Sequence, residues 1–188
     1  MENLDTSNWA SKNLDVDHFR NGDKIPEAKT AEDWDEAEYY CKPAWCYYDN
    51  DPENGNKYGK LYNRHAVSDK RCLAPDGWHI PTDEEWTELE NLLGEEAGKK
   101  LKSKNGWEDS GNGTDLIGFN ALPGGCRITG YIFFQIGEYT GFWCTENGYG
   151  YLWCFFLYNN SGDLKRGSKV YNTEFKHGNY VRCVRDKD

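Results

Sequence analysis

Pro75-Asp-Gly-Trp-His-Ile-Pro-Thr-Asp-Glu-Glu-Trp86 is the stretch with the strongest structural signal in the chain. Thr82 and Glu85 have the spacing of a capping box, in which two side chains satisfy free N–H groups at the start of a helix. The box follows Ile80-Pro81 and leads directly into Trp86. The stretch therefore predicts a helix that begins just after Thr82 and buries Trp86 in a core.

Further along, apolar residues recur at spacings of three and four and form one stripe, made of Trp86, Leu89 and Leu93. Gly94 stands where a glycine commonly ends a helix, so the helix is predicted over 83–93. A second helix, capped by a threonine, is predicted over 30–40, and a short helical turn over 95–103. Residues 43–63 predict a strand, a turn-rich loop and a second strand.

The C-terminal part of the chain has a different character. After Gly106, short segments rich in Tyr, Phe, Trp and Val alternate with Gly, Asn and Ser, which is typical of strands and turns. Fifteen of the 29 aromatic residues fall between Tyr131 and Tyr180. Helices first and strands last predict an α+β fold, with two short helices and a loop-rich antiparallel sheet.

Composition argues against several classes of partner. The chain has 188 residues, enough for one domain with a sizeable core, and a formal net charge of −10. This acidic balance argues against nucleic acid, whose phosphates attract Lys and Arg, and against anionic membranes. No apolar run approaches the roughly 20 residues that span a bilayer. The residues after Met1 do not form a signal peptide, and no membrane insertion is expected.

Several motifs occur together and in a fixed order. Besides the stretch quoted above, they are Glu2-Asn3-Leu4, Tyr48-Asp-Asn-Asp-Pro52, Lys57-Tyr-Gly-Lys-Leu-Tyr-Asn63, Gly118-Phe119, Leu122-Pro-Gly-Gly125 and Val181-Arg-Cys-Val-Arg-Asp186. The set resembles the Fibrobacter succinogenes major paralogous domain over essentially the whole chain. That family is similar to the formylglycine-generating-enzyme superfamily, so the resemblance implies a C-type-lectin-like fold of that subtype.

The resemblance also implies how one domain, 1–188, is organised. Some proteins of this group are variable proteins of diversity-generating retroelements, in which a C-terminal stretch is rewritten at adenines. The scaffold of such proteins tolerates many side chains on one face. By this resemblance, residues 1–125 form the scaffold, 126–180 form a variable ligand-binding region, and 181–186 form the closing strand.

Divergence from the family pattern is concentrated in the aromatic stretch. The family's usual Trp-Trp-Ser-Ser-Thr-Glu reads here Phe142-Trp-Cys-Thr-Glu146, which fits either a diversified surface or ordinary sequence drift. Aromatic side chains give a large contact area at low rotamer-entropy cost. The residues predicted to contact ligand are Tyr131, Phe133, Tyr139, Phe142, Cys144, Tyr149, Tyr151, Cys154, Phe156, Tyr158, Tyr171 and His177.

Leu152-Trp-Cys-Phe-Phe-Leu-Tyr158 allows two interpretations. Side chains alternate along a strand. One face then carries Trp153, Phe155 and Leu157, and the other carries Cys154, Phe156 and Tyr158. Both faces are apolar or aromatic. The segment is therefore either a strand buried on both sides, or a strand with one face in the core and the other in a recognition surface.

Signals for catalysis or metal binding are weak. The formylglycine-generating enzymes use a paired-cysteine copper site near the C-terminus, but Cys144 and Cys154 lack that family's motif. The seven cysteines predict buried free thiols or one or two disulfides. His79 is predicted to be a packed, hydrogen-bonded residue, and Asp49-Asn-Asp-Pro-Glu53 a solvated turn rather than a calcium loop. No cofactor, metal or enzymatic activity is expected.

The leading hypothesis is a ligand-binding variable protein of a diversity-generating retroelement, with a protein or surface receptor as its ligand. One alternative is a non-diversified bacterial surface or carbohydrate-binding domain, and another is an enzyme of the formylglycine-generating type. The resemblance favours a cell-surface or phage-associated location. In the core, Trp78, Trp86, Leu89 and Cys183 are expected to lie together.

Overall fold

The structure is a computed structural model that describes residues 8–145, 154–167 and 177–187. Among the features named above, those outside these ranges include the motif Glu2-Asn3-Leu4 and residues Glu146, Tyr149, Tyr151, Leu152, Trp153 and Tyr171.

Five α-helices lie in the described part of the chain. They are α1 (Ala31–Tyr39), α2 (Pro52–Tyr58), α3 (Arg64–Val67), α4 (Asp83–Leu93) and α5 (Ala97–Leu101), with a 3-10 turn at Tyr48–Asn50. Helices α1, α4 and α5 confirm the three helical segments predicted from the sequence. The short helices α2 and α3 were not predicted, so the expected number of two helices is too low.

The two longest helices begin as their sequences predict. Thr30 and Asp33 form the capping box of α1, and Thr82 and Glu85 form that of α4. Helix α4 ends at Gly94, whose φ of 66° lies in the left-handed region that glycine adopts without strain. Local sequence therefore fixes both ends of α4, through side chains at its start and a glycine at its end.

Helix α2 interrupts what the sequence predicts to be a turn-rich loop. Asp51 Oδ1 accepts a hydrogen bond from Glu53 N at 2.9 Å and caps the helix. Pro52 occupies the first helical position, where its missing N–H has no consequence. The acidic segment Asp49–Glu53 thus starts a helix, and the prediction of a simple solvated turn is corrected.

The strands are short. They are β1 (Trp45–Cys46), β2 (Leu61–Tyr62), β3 (Trp78–His79), β4 (Cys126–Thr129), β5 (Ile132–Phe134), β6 (Tyr139–Trp143), β7 (Cys154–Tyr158), β8 (Lys165–Arg166) and β9 (Val184–Arg185). They pair antiparallel as β1–β2, β3–β9, β4–β5 and β6–β7–β8. Small antiparallel sheets beside separate helices confirm the α+β class.

The β6–β7 sheet separates two apolar clusters. On one face, Phe142 and Phe155 pack against Trp86 of α4, and the Trp86 and Phe155 rings stack at 4.9 Å between centroids. On the other face, Trp143 and Cys154 are buried in a second cluster. We call these the Trp86 cluster and the Trp143 cluster.

This division corrects the expectation of one shared core. Trp86 and Leu89 belong to the Trp86 cluster. Cys183 lies in the Trp143 cluster, and Trp78 packs against that second cluster. Successive side chains of a strand point to opposite faces, so a sheet covered on both faces divides the apolar residues into two groups.

His79 connects the end of the chain to α4. Its Nδ1 lies 2.7 Å from Asp186 Oδ1, and its Nε2 lies 2.9 Å from Glu85 Oε1. Burial disfavours the charged ring, but the two carboxylates outweigh it and raise the pKa of His79 above its ordinary value. The prediction of a packed, hydrogen-bonded histidine is confirmed.

All seven cysteines are free thiols. Cys41 and Cys72 are exposed, and the other five are buried. The alternative of one or two disulfides is therefore not realised in this structure.

Candidate functional site

A cavity of about 210 Å³ lies on the face of β6–β7 that is opposite the Trp86 cluster. Its aromatic wall is formed by Tyr139, Phe156 and Tyr158. The Tyr139 ring centroid lies 5.5 Å from that of Phe156 and 5.1 Å from that of Tyr158. The other lining residues are Cys126, Ile128, Phe134, Gln135, Trp143, Cys154, His177 and Asn179. We call it the aromatic cavity.

Alternation along β7 positions this wall. Phe155 and Leu157 are completely buried, whereas Phe156 and Tyr158 are half-buried. The predicted alternation is confirmed for 154–158. The second face of β7 has two parts. Cys154 is buried in the Trp143 cluster, as expected of a strand buried on both sides. Phe156 and Tyr158 border the cavity, as expected of a recognition surface.

Burial keeps the ionisable groups of the cavity wall uncharged. It raises the pKa of the Cys126 thiol to about 12 and that of the Tyr139 hydroxyl well above its ordinary value. Burial also lowers the pKa of His177, although the nearby Glu38 carboxylate opposes this shift. The wall is therefore neutral at neutral pH and suits an uncharged, largely apolar group.

Asn179 places a polar group in this apolar wall. Its Nδ2 donates to Cys154 Sγ at 3.5 Å, while its buried Oδ1 has no hydrogen-bond partner among the described residues. Gly141 permits the close approach, because a Cβ there would lie 2.5 Å from that oxygen. Buried acceptors are usually satisfied, so Oδ1 is an unusual unpaired polar atom beside the cavity.

The β4–β5 hairpin exposes apolar side chains beside the cavity. Tyr131 at its turn is 81% exposed, and Ile132 and Phe134 are 45% and 42% exposed. Phe134 also lines the aromatic cavity. The exposed hairpin and the cavity therefore form one continuous apolar surface, which we call the display surface.

Arg127 fastens the hairpin to the segment that precedes α1. This completely buried side chain donates to the carbonyls of Gly130 at 2.6 Å, Thr30 at 2.9 Å and Ala28 at 3.2 Å. Its guanidinium lies 4.6 Å from the ring centroid of Trp34. Because these contacts join β4 and Gly130 of the turn to the scaffold, the hairpin is held in place while its outer face stays exposed.

Neither metal binding nor membrane spanning is indicated in the described ranges. No group of three or more His, Cys, Asp or Glu residues there is placed to hold a metal ion. No described helix is long and apolar enough to cross a membrane.

Comparison with known families identifies the chain at the family level. The model of the Fibrobacter succinogenes major domain matches residues 3–185. The chain belongs to this family. No curated protein and no solved structure matches it. The match confirms the resemblance inferred from the motifs. It spans both the capped helix α4 and the display surface.

In this Fibrobacter succinogenes major domain, the residues predicted to contact ligand have different environments. Tyr131 is exposed, and four are half-buried: Phe133, Phe156, Tyr158 and His177. Two are buried but line the aromatic cavity: Tyr139 and Cys154. Two are completely buried and do not line it: Phe142 and Cys144. The prediction is wrong for Phe142 and Cys144, because neither has surface that a ligand can reach.

Sequence reasoning missed two exposed residues of the hairpin, Ile132 and Phe134. It selected Phe133 instead, whose ring lies 5.2 Å from that of Tyr48 and packs inward. Side chains of β5 alternate, so the choice of face depends on where the turn falls. The two-residue turn at Gly130-Tyr131 was the available signal, because it places Ile132 and Phe134 on the same side.

Proposed function

We propose that this protein is a non-enzymatic, ligand-binding domain with a C-type-lectin-like fold, and that it is the variable protein of a diversity-generating retroelement. Its ligand is a protein or surface receptor that binds the display surface. One observation carries the proposal. The two faces of β7 differ, with Phe155 and Leu157 in the core and Phe156 and Tyr158 beside a cavity.

The size and shape of the display surface favour a macromolecular ligand. A volume of about 210 Å³ is below the range of roughly 300–1,000 Å³ typical of small-molecule sites. It suits one apolar side chain of a partner, while the exposed hairpin adds area around it. Exposed apolar patches on soluble proteins mark interaction sites, and a few buried anchors usually dominate their affinity.

The state of the thiols supports binding rather than catalysis. A cysteine reacts as its thiolate, and catalytic cysteines have a lowered pKa. Burial instead raises the pKa of Cys154 well above its ordinary value, and Cys144 is completely buried. Neither residue is poised for the chemistry of a formylglycine-generating enzyme.

Backbone pairing between the N-terminal and C-terminal segments supports the proposed fold. Ala10 N donates to Cys183 O at 2.9 Å, and Trp9 forms a bridge with Val184 of β9. Strand β9 also pairs with β3, directly before α4. An α+β domain closed by its own last strand is compatible with a C-type-lectin-like arrangement.

The genomic locus tests the diversification. We expect a near-repeat of the codons for 131–186 beside a reverse-transcriptase gene, differing from the coding copy at adenines. The differences should fall on display-surface residues such as Tyr131, Phe156 and Tyr158. They should spare Phe155 and Leu157. The absence of such a repeat, or differences spread evenly over both sets, would contradict the proposal.

A pair of libraries tests the tolerance that display requires. One library randomises Phe156 and Tyr158, and its matched control randomises Phe155 and Leu157 on the same strand. Resistance of individual members to proteolysis measures folding. Most members of the first library should fold and most of the second should not. Equal loss of folding in both libraries would remove the physical basis of the proposal.

A further inference from the structure

Another cavity, of about 230 Å³, is lined by residues of the N-terminal segment and of α2, and it shares no lining residue with the aromatic cavity. The buried Arg182 contributes to its wall, so we call it the Arg182 cavity. We propose that the Arg182 cavity binds a small oxyanion, that is, a phosphate, sulfate or carboxylate group. This proposal goes beyond the proposed function and stands independently of it.

Arg182 supplies a buried positive charge whose hydrogen bonds all end on uncharged oxygens. The side chain is 1% exposed. Its guanidinium donates to Asn13 Oδ1 through Nε at 3.1 Å and through Nη2 at 2.6 Å, and to the carbonyls of Ala10 and Phe119 through Nη1. A guanidinium has five N–H groups, so one N–H of Nη2 has no acceptor within the described residues.

Burial makes this charge costly, and an anion would offset the cost. Burial lowers the pKa of the Arg182 guanidinium to about 9, although the nearby Cys183 and Asp115 oppose the shift. The group is therefore still a cation at neutral pH. A buried charge is unfavourable unless it is paired. An oxyanion in the adjoining cavity would pair with it, and burial strengthens that attraction because little water screens it.

Asn13 brings a second unused donor to the same cavity. Its Oδ1 accepts from Arg182, which fixes the orientation of the amide, and its Nδ2 donates to Tyr58 O at 2.8 Å. The other N–H of Nδ2 has no acceptor in the part of the chain that the structure describes. Asn13 is half-buried and lines the cavity. Unused donors beside a buried cation suit a group that carries negative charge on several oxygens.

Cations also outnumber carboxylates along the exposed part of the cavity. Lys12 and Lys57 are exposed and line it, and neither forms an ion pair within the described ranges. The only carboxylate among its described lining residues belongs to Asp15, which pairs with Lys60 outside the cavity. Three cations therefore face one carboxylate that is already paired, in a chain whose formal net charge is −10.

Charge and size together select a small anion. A cleft lined by one sign of charge concentrates ions of the opposite sign. The volume of about 230 Å³ is below the range of roughly 300–1,000 Å³ typical of larger small-molecule ligands, so it suits a single oxyanion group. A long polyanion such as nucleic acid would also meet the acidic remainder of the chain, which disfavours it.

Titration calorimetry at constant ionic strength and neutral pH tests the ligand class. The probes are inorganic phosphate, sulfate, acetate and succinate at millimolar concentrations, with chloride as the reference anion. We expect saturable binding of at least one oxyanion and none of chloride, and the difference between tetrahedral and planar probes identifies the preferred group. Phosphate and sulfate also stabilise proteins by exclusion from the surface, but that effect does not saturate. No saturable binding across the panel, or equal binding of chloride, would overturn the proposal.

Matched lysine substitutions test the location. The variant Lys12→Gln/Lys57→Gln removes the two exposed cations of the cavity, and Lys70→Gln/Lys104→Gln removes two exposed lysines that do not line it. Both variants have the same net charge, and thermal melting without added oxyanion confirms that both fold. The first should weaken binding of the identified oxyanion by about tenfold, and the second should leave it unchanged. Equal affinities in the two variants would place the anion elsewhere and refute the site, without bearing on the display surface.

Discussion

On one face of β7, Phe155 and Leu157 lie completely buried with Trp86 of α4, and on the other Phe156 and Tyr158 are half-buried around a cavity. The two faces are equally apolar in sequence. They differ in what covers them. A capped, amphipathic helix covers the first face, whereas the second lies opposite His177, Asn179 and the partly exposed β4–β5 hairpin.

That difference shows how a small domain can offer an aromatic surface without losing its fold. The helix supplies a complete set of contacts for the first face, so the fold does not depend equally on the second. Polar side chains lie beside both faces, since Asn179 and His177 border the cavity and the buried Arg182 guanidinium lies 4.2 Å from the ring centroid of Phe119 in the Trp86 cluster. Each prediction below tests whether the two faces are energetically as different as they are structurally.

Truncation of Trp86 should have the largest effect. The ring is completely buried and contacts Trp9, Phe119, Phe142 and Phe155. Trp86→Ala should lower the free energy of unfolding by about 3–5 kcal/mol, as for other large aromatic truncations in cores. Urea denaturation measures the change. Trp86→Phe, which keeps a ring, is the control and should cost clearly less. A loss below about 1 kcal/mol for the alanine variant would show that the cluster is not the core.

Adjacent alanine substitutions on β7 compare the faces directly. Phe155→Ala should lower the free energy of unfolding by about 3 kcal/mol or more, because it opens a cavity against Trp86. Phe156→Ala should cost about 1 kcal/mol, because its side chain already borders empty space. Thermal melting of the two variants provides the measurement. Equal losses would mean that β7 is a two-sided core strand and that the display surface is limited to the hairpin.

Local chemistry explains what could be predicted from the sequence. Helix α4 was predicted from its capping box to Gly94, because both ends depend on residues of the segment itself. Burial of Phe142 and Cys144 was not predicted, because a strand that is apolar on both faces carries no pattern to show which residues a distant element covers. Helix α2 was missed since its Gly and Asn residues have low helix propensity, although Asp51 and Pro52 were a recognisable start.

Substitution of Arg127 should detach the display surface from the scaffold. Arg127→Leu removes donors from three carbonyls, and unsatisfied buried acceptors cost about 1–3 kcal/mol each before relaxation. We expect a net loss of about 2 kcal/mol and faster amide exchange over 130–134. Arg185→Leu, at an exposed arginine that stacks on Trp78, is the control and should leave the hairpin unchanged. Unchanged exchange in the Arg127 variant would contradict its anchoring role.

Deprotonation of His79 should weaken the link between the closing strand and α4. The folded-state pKa of His79 is raised above the unfolded value of about 6.5, so its contribution is complete below that pH. The contribution is lost as pH rises through the folded pKa. Because the ring is about one-third exposed, solvent screening limits the effect to about 1 kcal/mol or less.

The variant His79→Gln isolates this effect. The difference in unfolding free energy between the wild type and the variant should shrink as the pH rises above about 6.5. Asp186→Asn removes one of the two carboxylate partners and should reduce the pH dependence without abolishing it. A difference that grows with pH would have the wrong sign and would reject the assignment.

Substitution of Tyr131 should have the smallest effect on stability. It tests the most exposed part of the display surface. Its side chain is 81% exposed, and that of Tyr39 at the end of α1 is 79% exposed. Each alanine variant should therefore unfold within about 0.5 kcal/mol of the wild type. The two residues differ in their surroundings, because Tyr131 directly precedes β5, whose Phe134 lines the aromatic cavity, whereas Tyr39 packs against the exposed Tyr40. Anilinonaphthalene sulfonate, a dye that binds exposed apolar surface, distinguishes them. Tyr131→Ala should reduce dye fluorescence more than Tyr39→Ala, because it removes part of a continuous apolar surface. Equal effects of the two variants on dye binding would mean that the hairpin and the cavity do not act as one surface.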